Sequence, residues 1–169
     1  FSWAPDGERM LFAMDKDGDE RYQLYLHAPG GVDVVPLTGP AEVKHTMGPW
    51  SPDGNSIAYA SNRRHPAFFD IYVQGVPEGE PRMVYRDDGS NSPVSWSPDG
   101  RYLVLSRSSA QMYNDLFLLD LKTEQTRQLT PGGELAAYGL PMETDCRGLL
   151  WDRDGNGLYL TTNKDREFK

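Results

Sequence analysis

Three features are scarce in this sequence, and each scarcity excludes a class of protein. Only one cysteine is present, Cys146, so no disulfide can form within the chain. The longest apolar runs fall far short of the roughly 18 residues that a membrane-spanning helix needs. Lys and Arg number 17 against 25 Asp and Glu, which gives a net charge of −8, whereas nucleic-acid phosphates require basic patches. We therefore expect neither a membrane nor a nucleic acid among its partners.

Catalytic and cofactor-binding patterns are also missing. No Gly-x-Ser-x-Gly nucleophile elbow occurs anywhere in the chain. The histidines His27, His45 and His65 fall in different predicted strands or connections, and none has an evident Ser or Asp partner. Cys146 has no neighbouring His. The sequence therefore predicts no catalytic residue and no cofactor in this chain.

The chain does contain a repeat that begins with tryptophan. Three copies read Trp-Ser-Pro-Asp-Gly or Trp-Ala-Pro-Asp-Gly, and the fourth reads Trp-Asp-Arg-Asp-Gly. The spacings between them are 47, 46 and 55 residues, and the last is longer because of an irregular stretch at 131–146, in which we expect one helical turn at 134–138. A period of about 45 residues is typical of repeat architectures such as propellers. The four copies begin at Trp3, Trp50, Trp96 and Trp151.

The segments between these copies predict strands. They contain runs of five to seven residues that are rich in Val, Ile, Leu, Tyr and Phe and are bounded by turn residues, without helical spacing. Four antiparallel strands in about 45 residues describe one propeller blade. The predicted fold is therefore all-β, a partial β-propeller of about three and a half four-stranded antiparallel blades that occupies residues 1–169. The predicted bounds are 1–40 for blade 1, 41–90 for blade 2, 91–131 for blade 3 and 145–169 for half of blade 4.

The composition of the repeated turn has a local physical reason. Pro presets the backbone for the second position of a turn, Asp bonds nearby amides, and Gly takes the left-handed position at the exit. The preceding Trp is large enough to cover one side of a sheet and touch the neighbouring blade, which contributes on the order of 2–3 kcal/mol. We therefore assign a structural role, and no catalytic one, to the turn carboxylates Asp6, Asp53, Asp99 and Asp154.

Two acidic stretches resemble calcium loops without matching the EF-hand pattern. An EF-hand loop places oxygen ligands at positions 1, 3 and 5, Gly at position 6 and Glu at position 12. One stretch lacks the final Glu, and the other has its Gly at the wrong position. We interpret both as solvated acidic hairpins and predict no metal site. The candidate ligands considered are Asp152, Asp154 and Asn156 in one stretch and Asp15, Asp17 and Asp19 in the other.

A basic pair follows the second predicted strand of blade 2. Arg63 and Arg64 lie in the stretch Ser-Asn-Arg-Arg-His-Pro, which we place in a connection between strands. From there a guanidinium group can reach a carboxylate across the face of a propeller, or it can form a local salt bridge. Arg63 and Arg64 are our candidates for substrate-facing residues.

Two longer stretches carry a resemblance to a known family. Residues 15–26, DKDGDERYQLYL, and residues 56–73, SIAYASNRRHPAFFDIYV, are similar to early blades of the prolyl oligopeptidase family of serine peptidases, especially its acylaminoacyl-peptidase-like branch. The repeated Trp-Ser-Pro-Asp-Gly turns also occur in the periplasmic propeller of the Tol system. The fourth copy departs from the pattern, since Asp152 and Arg153 replace Ser and Pro.

The resemblance implies a division of labour. In that peptidase family an α/β-hydrolase domain carries the catalytic Ser, Asp and His, and the propeller caps the active site and restricts entry to short peptides. This chain is then a non-catalytic segment whose partners are the rest of its own propeller, the hydrolase domain and short peptide substrates. Because both ends fall inside predicted blades, we expect an internal segment of a longer polypeptide.

Two further expectations concern the compartment, which follows from the resemblance, and the assembly, which follows from the open arc of blades. The expected compartment is the cytoplasm for the peptidase and the periplasm for a Tol-type propeller, which would be a non-enzymatic scaffold for protein–protein interaction. An open arc leaves apolar blade faces in water. A second copy of the chain could cover them, so a homo-oligomer stays open as an alternative.

Overall fold

The structure is a computed structural model that describes residues 1–28, 30, 34–39, 42–110, 113–130, 146–155 and 157–162. These residues form strands and turns, with no helix among them. Accordingly, this part of the chain contains no helix long and apolar enough to cross a membrane. The chain divides into two compact units, residues 1–93 and 94–169.

The first unit contains two groups of four antiparallel strands, and the second group also pairs in parallel with the next strand between Phe69 and Ser90. In each sheet the strands lie side by side in chain order, so that each blade is a simple meander. The first sheet consists of β1 (Ser2–Trp3), β2 (Met10–Met14), β3 (Gln23–His27) and β4 (Val34–Pro36), and the second of β5 (His45–Trp50), β6 (Ser56–His65), β7 (Phe68–Gly75) and β8 (Arg82–Tyr85).

The second unit repeats this pattern and adds a hairpin. Its four-stranded sheet begins with β9, whose first residues belong to the first unit, and the hairpin follows after a gap in the described residues. The strands are β9 (Ser90–Trp96), β10 (Tyr102–Ala110), β11 (Tyr113–Asp120) and β12 (Thr126–Gln128), followed by β13 (Cys146–Trp151) and β14 (Leu158–Thr162).

These strands confirm the predicted fold class, an all-β partial propeller with about three and a half blades. One placement was wrong: Asn62 to His65 belong to β6 itself, not to a connection after it. The pairing of β6 with β7 is interrupted after Ser61 and resumes where His65 lies opposite Phe68. The β6–β7 hairpin therefore extends beyond the apolar residues from which the strand was predicted. The blade bounds stay predictions, and the predicted helical turn at 134–138 lies outside the described residues.

The repeated turns are held by their own side chains. In the second copy the Gly54 amide donates to the Ser51 carbonyl at 2.9 Å, which closes the turn. The Ser51 hydroxyl donates to Asp53 Oδ1 at 2.6 Å and accepts the Ser56 amide at 2.9 Å. Asp53 Oδ1 also accepts the Asn55 amide at 3.0 Å. These bonds to the charged carboxylate lower the pKa of Asp53 from its usual range.

The same geometry recurs in the third copy. The Ser97 hydroxyl donates to Asp99 Oδ1 at 2.5 Å and accepts the Tyr102 amide at 2.8 Å. The glycine at the turn exit has a left-handed φ of 70° to 72° in all four copies, as the turn chemistry predicts. The turn carboxylates Asp53 and Asp99 thus hold the backbone of their own turns.

Trp50 packs blade 2 against blade 1. Its side chain is 8% exposed and belongs to an apolar cluster that draws on both sheets of the first unit. The indole N–H donates to the Ser2 carbonyl at 3.4 Å, and the Arg9 guanidinium lies 5.5 Å from the ring centroid. In the second unit the partly buried Trp151 also packs on a cluster that includes Val104 and Leu116 of blade 3. Trp50 and Trp151 therefore join successive blades, whereas Trp3 is 49% exposed.

Gly48 offers a test of how closely β5 packs against the neighbouring backbone and side chains. It lies on β5, where an added Cβ would overlap the Ala58 carbonyl oxygen and come within 2.5 Å of Pro93 Cγ. We expect Gly48→Ala to destabilise the protein by about 1–3 kcal/mol, the usual cost of overpacking. Urea denaturation measures this change. Gly39→Ala is the matched control because no atom lies within 4 Å of its added Cβ, and an equal loss in the two variants would contradict the packing argument.

Candidate functional site

The candidate site is one end of blade 2, where β6 passes into β7. On β6 three residues separate Ser61 from His65, whereas on β7 only Phe69 separates their ladder partners Asp70 and Phe68. The extra residues form a bulge that contains both Arg63 and Arg64. Bulges redirect side chains away from strict alternation. The two neighbouring arginines consequently have different environments.

Arg64 is fixed by several acceptors at once. Its Nε donates to Asp70 Oδ2 at 2.7 Å and its Nη2 to Asp70 Oδ1 at 3.0 Å, a bidentate pair. Nη1 donates to Asp88 Oδ1 at 2.9 Å, and Nη2 also reaches the Asp87 carbonyl at 3.2 Å. The hydrogen bonds to Asp70, and then to Asp88, hold the pKa of Arg64 above its usual range. Arg64 therefore ties the β6–β7 hairpin to the connection that leads into β9.

The contacts of Arg64 are sensitive to substitution because Asp70 is buried. The residue has no exposed surface, so its carboxylate depends on Arg64 for compensation. Beside it, the Asn91 amide donates to the Phe69 carbonyl at 2.8 Å and to the Asp87 carbonyl at 3.2 Å. The Phe69 amide in turn donates to the Gly89 carbonyl at 2.9 Å. Charged and neutral hydrogen bonds together fix this end of blade 2.

Arg63 has few partners. It is exposed, and its guanidinium carbon lies 5.5 Å from the centroid of the Tyr72 ring, within the range of a cation–π contact. Its only side-chain hydrogen bond within the described residues runs from Nη2 to the Gly39 carbonyl at 3.4 Å. No ion pair to Arg63 forms in that part of the chain. Most of its N–H donors therefore have no acceptor among the described residues.

A row of rings lies beneath Arg63. Tyr72 stacks on its cross-strand neighbour Tyr59 with centroids 5.7 Å apart, and Tyr59 contacts the His45 ring at 5.7 Å. The Tyr59 hydroxyl donates to Gln74 Oε1 at 3.2 Å, and Gln74 Nε2 donates to the Leu37 carbonyl at 3.0 Å. Burial raises the pKa of Tyr59 to about 12. These uncharged, packed rings form a rigid surface on which the Arg63 guanidinium group lies.

His45 ends this row and is almost completely buried, at 3% exposure. Neither ring nitrogen has a hydrogen-bond partner among the described residues. Burial, and to a lesser degree the positive charge of Arg63, lowers its pKa from 6.5 to about 4. His45 is therefore a neutral imidazole at physiological pH.

The acidic loop that begins at Asp15 is held by its own carboxylates. Among the described residues, no group of three or more His, Cys, Asp or Glu side chains could hold a metal ion. Asp15 and Asp19 accept the backbone amides of Glu20 at 3.1 Å and Arg21 at 2.9 Å, so they stabilise their own loop. Asn156 and the side chain of Cys146 lie outside the described part of the chain.

Sequence reasoning missed the partners that distinguish the two arginines. Asp70 was read only as part of a strand, although a carboxylate six residues after an arginine across a hairpin is a possible signal for pairing. Asp87 and Asp88 gave no signal, because their approach depends on the path of the connection after β8. His45 was considered only as a catalytic base, and the ring row beneath Arg63 was not anticipated.

The meandering four-stranded sheets and the tryptophan-led turns define a β-propeller domain. Residues 1–139 match the family model described as the TolB beta propeller domain, and the chain belongs to this family.

Comparison with known proteins adds a peptidase connection. The chain is 30% identical over 162 residues to YuxL, an uncharacterized peptidase of Bacillus subtilis, and the match covers 92% of this chain and 22% of the peptidase. The chain spans about a fifth of the length of the first curated relatives that it matches. The resemblance to peptidase propellers is thereby confirmed.

Solved structures of both kinds share the fold. TolB from Acinetobacter baumannii matches with a TM-score of 0.68 at 21% identity, over 94% of this chain and 37% of that one. A chain from a study of two prolyl endopeptidases and their inter-domain dynamics matches with a TM-score of 0.69 at 17% identity, over 96% of this chain and 24% of that one. At these identities the likeness establishes the fold alone.

Proposed function

We propose that this chain is a non-catalytic propeller segment of a serine peptidase of the prolyl oligopeptidase type, acylaminoacyl peptidases included. In this role it caps the active site and restricts access to short peptides. The observation that carries the proposal is the 30% identity to a peptidase across 92% of the chain. The α/β-hydrolase domain lies in the same polypeptide, and the cytoplasm is the proposed compartment.

The geometry at the end of blade 2 suits a gate. Arg64, Asp70 and Asp88 hold the hairpin, and the exposed Arg63 lies over Tyr72 at the same end of blade 2. We assign acyl transfer to the hydrolase domain. There a serine would attack the peptide carbonyl and backbone amides would stabilise the oxyanion.

The full-length protein provides the test. We expect it to hydrolyse short peptides, to lose activity as peptide length increases, and to leave folded proteins intact, because the cap admits only small substrates. The measurement is kcat/KM over a peptide series of increasing length. Pre-treatment with a serine-reactive fluorophosphonate serves as the control and should abolish cleavage. Hydrolysis that is independent of substrate length would contradict the gating role.

A second candidate is a Tol-type propeller that acts as a scaffold for protein–protein interaction, in the periplasm. The match of residues 1–139 to the TolB beta propeller family supports this alternative. The two candidates differ in one observable property. A full-length protein that is not labelled by the fluorophosphonate and hydrolyses no peptide favours the scaffold, whereas labelling at a serine outside this chain favours the peptidase.

A further inference from the structure

We propose that Arg63 is an anion-binding residue that takes the carboxylate of a peptide at the end of blade 2. The inference rests on the proposed peptidase function for the identity of the ligand. The existence of the site does not depend on the proposed function, because the contacts of Arg63 define the site.

The contrast with the next residue is the first argument. The fork of Arg64 is occupied by Asp70, Asp88 and a backbone carbonyl. Arg63 has one long hydrogen bond, to the Gly39 carbonyl at 3.4 Å, and no ion pair within the described residues. The two neighbouring arginines thus differ in that Arg64 has two carboxylate partners and Arg63 has none in that part of the chain. Its environment leaves it available for an anion from outside this segment.

The second argument is that Arg63 is held in place before any ligand arrives. Its guanidinium group lies over Tyr72, which stacks on Tyr59, and these rings are buried in blade 2. A planar guanidinium offers two parallel N–H donors that match a carboxylate. Because the stack already restricts the side chain, binding loses less conformational freedom. Arg63 is thus arranged for bidentate recognition of a carboxylate group.

The third argument is the unpartnered imidazole behind the arginine. Both nitrogens of His45 are buried without a hydrogen bond among the described residues, and buried polar atoms are seldom left in this state. The charge of Arg63 acts on His45 directly. A carboxylate on Arg63 would offset that charge, so the His45 ring should respond to occupancy of the site without touching the ligand. This response gives the site its own readout.

The chemistry favours a peptide carboxylate over a phosphate. The overall negative charge repels polyphosphates, and a single free guanidinium suits a single carboxylate. The carboxylate can belong to the C-terminus of a peptide or to an acidic side chain. Two pairs of peptides distinguish these sources: one pair with a free or an amidated C-terminus, and one pair with Asp or Asn inside an amidated peptide.

Arg63→Gln in the full-length protein tests the site. We expect KM for the free-acid peptide to rise about tenfold to a hundredfold, as for the loss of hydrogen bonds to a charged group, with kcat unchanged. The same peptide with an amidated C-terminus should show no change. If the ligand is instead an acidic side chain, KM should rise for the amidated peptide that contains Asp and not for its Asn counterpart. Arg63→Lys should recover part of the loss, because it keeps the charge without the fork.

Arg101→Gln is the matched control. Arg101 also lies over a tyrosine, 4.9 Å from the Tyr102 centroid, but it is paired with Asp120 at 2.7 Å. Its replacement should leave KM for every peptide unchanged. Equal effects of Arg63→Gln on acidic and neutral peptides, or no effect on any, would overturn the inference.

A binding measurement separates this inference from the proposed function. If the full-length protein hydrolyses no peptide, the peptidase assignment fails, and the site is then tested by calorimetric titration with the same peptide pairs. Binding of the acidic member that Arg63→Gln abolishes supports the site, as does an upward shift in the NMR titration of His45 when the peptide is present. Binding that is equal in the two proteins, with His45 unmoved, overturns it.

Discussion

Replacing Arg64 by glutamine is expected to destabilise the protein strongly. The substitution leaves the Asp70 carboxylate, which has no exposed surface, without its bidentate partner. An uncompensated charge at such a site costs about 3–5 kcal/mol, a large part of the stability of an ordinary domain. Urea denaturation followed by circular dichroism measures the loss as a lower midpoint.

Arg63→Gln is the control for this experiment. It removes the same group from the neighbouring position, but Arg63 is exposed and has no ion pair in the described residues. Its midpoint should stay close to that of the unmodified protein. Asp70→Asn combined with Arg64→Gln should recover part of the loss, since no buried charge remains. Equal destabilisation by the two arginine variants would show that the ion pair between Arg64 and Asp70 does not stabilise the fold.

The features of the fold that were predictable from sequence are local. A turn such as Ser51 to Gly54 contains its own donors, acceptors and left-handed glycine, so four residues carry the information for its geometry. The apolar runs after each turn are likewise short, and each lies within one strand. Repetition then supplied the architecture, because a unit that recurs every 46 or 47 residues has few other folds available.

The features that were not predictable depend on contacts between distant residues. The bulge in β6 is visible only from the register with β7, and it placed Arg63 and Arg64 inside a strand. Asp88 meets Arg64 across 24 positions of sequence, a contact that no local pattern encodes. The sequence therefore showed two neighbouring arginines. It did not show that Arg64 pairs with two carboxylates whereas Arg63 pairs with none among the described residues.

The difference between the two arginines links the fold to the proposed function. The proposed gate would combine a rigid support with an exposed group, and blade 2 contains a paired and an exposed arginine at neighbouring positions. Arg64 joins the hairpin to the following connection, and Arg63 lies on the rings that the same hairpin carries. A variant of Arg64 should therefore change stability first, and a variant of Arg63 should change binding alone.

His45 should make the protein sensitive to mild acid. Its pKa is about 4 in the folded protein against 6.5 as the ordinary value, so above pH 6.5 the ring is neutral in both states and stability is complete. As the pH falls from 6.5 to 4, the unfolded chain binds a proton that the folded protein does not. Stability then decreases by about 3 kcal/mol over this window, because each tenfold difference in proton affinity between the two states corresponds to about 1.4 kcal/mol.

His45→Phe isolates this effect, because it keeps a ring against Tyr59 and removes the titrating group. The free energy of unfolding, measured by urea at intervals between pH 7 and pH 4, should fall much less for this variant than for the unmodified protein, and the difference should already be large at pH 5. Carboxylates with lowered pKa values, such as Asp53 and Asp120, begin to lower stability as the pH approaches their ordinary value of 3.8, but they do so equally in both proteins, so the difference between the two curves belongs to His45. The exposed His65 is the control, and His65→Phe should retain the full acid-dependent loss. If His45→Phe and the unmodified protein lose stability in parallel, His45 is not buried in its neutral form and the ring row beneath Arg63 is not formed as described.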